Sequence, residues 1–120
     1  MNFLFVGMGG FLGAISRYAV YILSNRTLPA TFPHATLIVN ITGSFLLGLL
    51  LAYAAHETVS EKLTLMASIG FLGAFTTFSA FSMDLIILYK SGHYLHCLLN
   101  LIVNPLFSTL AAVLGLKILA

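Results

Sequence analysis

Gly73-Ala74-Phe75-Thr76-Thr77-Phe78-Ser79-Ala80-Phe81-Ser82 lies inside a long apolar run, yet it opens on glycine and carries four hydroxyls, on Thr76, Thr77, Ser79 and Ser82. Hydrocarbon cannot satisfy loose backbone groups or idle hydroxyls, so a polar segment at membrane depth must face protein, water or an ion. Phe78 and Phe81 stand three residues apart and share one helical face. An aromatic ring has a positive edge as well as a negative face. Ring edges beside hydroxyls suit a path for a small anion; aromatics at this spacing in a purely apolar setting would be packing alone.

Outward from the decamer, four apolar stretches cover residues 2–23, 35–55, 63–89 and 95–119. Each reaches the roughly 20 residues that cross a hydrocarbon core. The chain has 120 residues, of which 60% are hydrophobic and only 7% charged, with a mean hydropathy of +1.07. A soluble domain would carry roughly a quarter charged residues. These numbers predict an all-α membrane protein, a single four-helix transmembrane domain over residues 1–120 whose third helix is broken at the glycine-led decamer. Membrane lipid is then its surrounding partner. The connections, residues 24–34, 56–62 and 90–94, are short and polar, and Pro29 and Pro33 mark the first as a turn. The first run lacks a basic lead and is interrupted by Arg17, which does not fit a signal peptide. No internal repeat is visible.

Charge excludes other classes. A net charge of +2 with no basic run gives no footprint for nucleic acid. Cys97 is the one cysteine, so there is no internal disulfide and no cysteine-rich metal site. With four spans both termini share a side, together with Lys62 and Lys117; Arg26 and Lys90 lie on the other. The positive-inside rule therefore gives no orientation. Either a weak cue sets one orientation, or both orientations are inserted and pair as an antiparallel dimer. Four helices alone enclose little polar space, which favours an oligomer.

Three motifs carry a resemblance. Gly9-Gly10-Phe11-Leu12-Gly13-Ala14-Ile15-Ser16-Arg17-Tyr18 resembles the first-span signature GGxxGAxxRY of the Fluc/CrcB family of fluoride channels. Thr36-Leu37-Ile38-Val39-Asn40-Ile41-Thr42-Gly43-Ser44-Phe45 resembles its second-span TLxVNxxGSF, and Gly70 through Ser82 its third-span GFxGGxTTFSTFS. The order is the family's, and the resemblance covers essentially the whole chain. It implies a dual-topology homodimer with two fluoride pores and a central sodium ion, exporting fluoride passively across a bacterial cytoplasmic membrane. Ala74 and Ala80 depart from the third motif, replacing a glycine and a threonine.

On that resemblance the residues take roles. Fluoride is small and strongly hydrated, so a pore must replace its water with close donors. Asn40 offers an amide at mid-span, where a polar side chain is costly without a partner; its plain alternative is a helix–helix hydrogen bond. Thr36 lies one turn before Asn40, and Ser82 one turn after Phe78. Ser108 matches a family serine near the pore, or else bonds back to its own helix; one turn on, Ala112 replaces a family threonine. By resemblance each pore takes phenylalanines, Phe78 and Phe81, from both subunits. Gly73 and Thr76 resemble the positions whose backbone carbonyls bind the sodium. Arg17 either lines an aqueous vestibule, concentrating anions, or snorkels to an interface. Asp84 reads as a vestibule-edge or hydrogen-bonding carboxylate, and His34, His56, His93 and His96 as span-end residues; His93 and His96 also form a weaker metal-pair candidate. The resemblance is to a channel, not an enzyme, and no nucleophile–base constellation is apparent. A small multidrug-resistance-like, proton-coupled exporter shares the size and topology but needs a carboxylate in its first span, where this chain has Arg17.

Overall fold

The computed structural model describes all 120 residues, and all of its regular structure is helical. α1 (Asn2–Thr27) and α2 (His34–His56) are continuous. The third span runs from Glu61 to Lys90. It contains α3 (Glu61–Leu65), a π-helical stretch Met66–Leu72, the short α4 (Gly73–Phe75) and α5 (Phe78–Lys90). α6 (Tyr94–Ile118) completes the chain. Four of these segments are long and apolar enough to cross a membrane, and the protein is a multi-pass integral membrane protein.

The ends follow local chemistry. α1 runs four residues past the expected end of its apolar stretch, because no breaker comes before Pro29. Pro29 disfavours helix at the residue before it, and Leu28 is extended at φ −117°, ψ 151°. Between α5 and α6, Gly92 takes φ +77°, a conformation glycine adopts without a Cβ penalty. His93 N–H then donates to Leu88 O at 2.9 Å and Gly92 N–H to Tyr89 O at 3.1 Å, the paired closure of a Schellman end.

Only 18 of 120 residues are buried, so packing between helices rests on a few close approaches rather than a large core. α2 meets α6 where Gly48 lies against the Ala112 carbonyl and Gly115 against the Phe45 carbonyl. α1 meets the π-helical stretch where Gly9 and Gly13 lie against the Met66 and Phe71 carbonyls. In lipid such small-residue contacts replace the hydrophobic effect as the source of association. A Cβ at Gly115 would stand 2.2 Å from Phe45 O. Gly115→Ala is therefore expected to force α2 and α6 apart and cost about 1–3 kcal/mol, read as a lower melting temperature of the purified protein; an unchanged melt would contradict this packing.

Candidate functional site

The helical ladder of the third span stops at two residues. Thr76 (φ −78°, ψ 156°) and Thr77 (φ −151°, ψ 118°) are extended. Gly73 itself remains helical at φ −62°, ψ −36°, and the extended residues lie three and four positions on within the same decamer. The physical reason is Asn40 on α2. Thr77 N–H, which a continuous helix would direct to Gly73 O, donates instead to Asn40 Oδ1 at 2.8 Å. Asn40 Nδ2 returns a bond to Thr77 O at 3.1 Å. Downstream, Thr77 caps α5: its Oγ1 accepts from Ala80 N–H at 3.1 Å. That N–H is the one Thr76 O would otherwise receive. The carbonyls of Gly73 and Thr76 therefore lack their i+4 amide donors.

Beside the interruption lies an open groove of about 400 Å³. Asn40, Phe78, Phe81 and Ser108 all line it, with Thr76, Thr77 and Asn104. The Phe78 and Phe81 rings are 5.6 Å apart and tilted by 54°. Phe81 is 7% exposed and built into the fold, while Phe78 is 78% exposed and has almost no cover from its own chain. Ser108 does not bond back to its helix: its Oγ is buried with no partner, leaving a donor free beside the groove. A buried hydroxyl without a partner is costly, so this site suits a polar occupant.

Three expectations come out differently. Asn40 lines the groove, but both hydrogens of its amide are spent within the chain, on Thr77 O and on Asn104 Oδ1 at 3.1 Å. Ser82 donates to Phe78 O at 3.1 Å, one turn back on its own helix, and does not line the groove. Thr36 faces a different cavity, of about 280 Å³, which it shares with Tyr21, His34 and Asp84. Its Oγ1 lies 3.0 Å from the Tyr21 hydroxyl, and Asp84 Oδ2 there is buried without a partner. α2 carries Asn40 and Thr36 one turn apart, but α6 closes over Asn40 while the end of α1 and the α1–α2 connection close over Thr36, with α5 lining both at different turns. Arg17 lines a third groove with Tyr18, Tyr21, Thr77 and Ser79. Thr77 thus separates the Arg17 groove from the phenylalanine groove.

Sequence reading missed Asn100 and Asn104. They are 0% and 2% exposed, and Asn104 Nδ2 donates to Asn100 Oδ1 at 3.3 Å. Their spacing was a usable signal: Asn100, Asn104 and Ser108 fall every four residues and make one polar stripe along α6.

Residues 4–116 match the family described as "CrcB-like protein, Camphor Resistance (CrcB)". The chain is 47% identical over 115 residues to a Campylobacter lari protein named "Fluoride-specific ion channel FluC", covering 96% of this chain and 94% of that one. A Campylobacter jejuni protein of the same name is 48% identical with the same coverage. An Idiomarina loihiensis protein, also so named, is 45% identical over 104 residues, covering 87% of this chain and 81% of that one.

Proposed function

The chain belongs to the CrcB-like family, and from that premise we propose that it is a fluoride-selective channel that lets fluoride leave passively through two pores in an antiparallel, dual-topology homodimer. One observation carries this reading beyond the names of the relatives. The groove lined by Asn40, Phe78, Phe81 and Ser108 is open on one side, and Phe78 stands 78% exposed at its rim. A large ring left bare beside a free hydroxyl fits a surface completed by a second copy. In such a pore the Ser108 hydroxyl and the ring edges of Phe78 and Phe81 face the ion. The Thr36 cavity and the Arg17 groove serve as approaches, and Arg17 concentrates anions. Ser82 contributes only if its hydroxyl rotates away from Phe78 O.

The sodium ion implied by the family has a fitting donor set. The carbonyls of Gly73 and Thr76 lack amide donors, and Gly73 is exposed on the surface of the chain. Two copies crossing at a two-fold axis would present four oxygens, the hard ligands a small cation takes as a structural tie.

Fluoride efflux from vesicles, with and without an imposed proton gradient, tests the channel reading. Efflux should follow the fluoride gradient and membrane potential alone. Proton-dependent flux would favour a coupled carrier, and no flux would remove the reading. In the same vesicles a cysteine placed at Glu57, in a Cys97→Ser background, should label from both sides; labelling from one side only would remove dual topology.

A further inference from the structure

We infer that Asn104 is a positioning residue for the third span: acting through Asn40, it holds Thr77 extended and keeps the carbonyls of Gly73 and Thr76 free of amide donors. The inference begins with hydrogen-bond direction. Thr77 N–H is a donor only, so the Asn40 oxygen must face it, at 2.8 Å. Asn40 Nδ2 then faces two acceptors, Thr77 O and Asn104 Oδ1, each at 3.1 Å. The Asn104 oxygen must face back, which points Asn104 Nδ2 at Asn100 Oδ1, 3.3 Å away. A single backbone amide of the third span thus sets the orientation of three side-chain amides on two other spans, α2 and α6.

The strap competes directly with helix. If Thr77 N–H returned to Gly73 O, the ladder would close and Gly73 O would gain the donor it lacks. Asn40 prevents this with two bonds to one residue, and only while its amide plane is held in place. Asn104 supplies that hold, using the second Nδ2 hydrogen. Asn104 is 2% exposed and Asn100 0% exposed, so both amides are largely shielded and depend on partners within the protein. Removing the Asn104 oxygen takes away the acceptor of the second Nδ2 hydrogen of the half-buried Asn40, a loss that falls on the strap itself. α6 in this way reaches the third-span carbonyls without touching them. The consequence for sodium rests on the cation reading above; the strap does not.

The test is a double-mutant cycle on the purified, assembled protein, using Asn104→Leu, Asn40→Ala and both together. The first readout is the melting temperature. The second is the concentration of Na+, titrated alone into a choline buffer, that stabilises half-maximally. Asn104→Leu should lower the melting temperature more in the parent than once Asn40 is alanine, because the Asn40 bond is then already gone and only the bond to Asn100 Oδ1 is left to lose. In the parent it should also raise the half-maximal Na+ concentration by about tenfold. Additive effects on melting would overturn the inference, since simple packing does not need Asn40. Coupled melting with an unmoved Na+ concentration would overturn the link from the strap to the carbonyls. Coupled melting with no Na+ response even in the parent would uphold the strap and refute the cation reading instead. Should Asn104→Leu fail to assemble, Asn104→Ser replaces it, because its hydroxyl is too short to reach Asn40 and serine is well tolerated in membrane helices.

Discussion

Phe78→Ile is expected to lower fluoride flux by about tenfold while leaving the melting temperature nearly unchanged. An aromatic pair gains about 0.5–1.5 kcal/mol from the ring quadrupole beyond the area it buries; an edge contact to an anion of that order corresponds to a factor near ten, since about 1.4 kcal/mol is tenfold. Isoleucine keeps much of the apolar volume but has no positive edge. Phe78 is 78% exposed, so its loss removes little packing within the chain. Phe81 sets the contrast. It is 7% exposed, so Phe81→Ile should lower flux and melting temperature together. Fluoride efflux from vesicles and thermal melts of the same preparations separate the two effects. Full flux in both variants would show that the ring pair is packing and that the ion travels elsewhere.

Asn40→Asp should have the larger effect, reducing flux to background and destabilising the protein. The substitution puts an oxygen where Nδ2 stands. That oxygen would face Thr77 O and Asn104 Oδ1, two acceptors that now lie 3.1 Å from Nδ2. The Asn104 amide can turn to offer a donor if Asn100 turns with it and gives its unpaired Nδ2 to the Asn104 oxygen, but Thr77 O still loses its donor. Each buried polar group left without a partner costs about 1–3 kcal/mol. An ionised aspartate would add a negative charge beside the groove and repel an anion. Asn40→Ala removes the strap without adding charge, so it should destabilise by a similar mechanism but retain more flux than Asn40→Asp. Equal flux in the two would mean that the strap, and not the sign of the charge, sets conduction.

Much of this protein is legible in local sequence. Four apolar runs near 20 residues predict four spans, and Pro29, Pro33 and Gly92 punctuate the connections because proline and glycine act on the backbone where they stand. The decamer from Gly73 to Ser82 stands out because hydroxyls inside hydrocarbon need a partner, and that need is visible without knowing the partner. Asn100 and Asn104 fall on one face of the fourth run by spacing alone.

The tertiary structure decided which polar groups meet. Thr36 and Asn40 are one turn apart on a single helix, yet they face different cavities because different neighbours close over each. Gly73 has the residue type for a break, but the break falls at Thr76 and Thr77, because an asparagine from another span captures the Thr77 amide. Asn40 has the chemistry of an anion donor, but its hydrogens go to Thr77 and Asn104. Sequence by itself determines the spans and their polar interruption, since hydropathy and backbone preference are properties of neighbouring residues. The choice of partner for each polar group depends on helix packing across 37 and 64 residues of chain, and a hydrogen bond is decided by which donor and acceptor the fold brings within about 3 Å of each other.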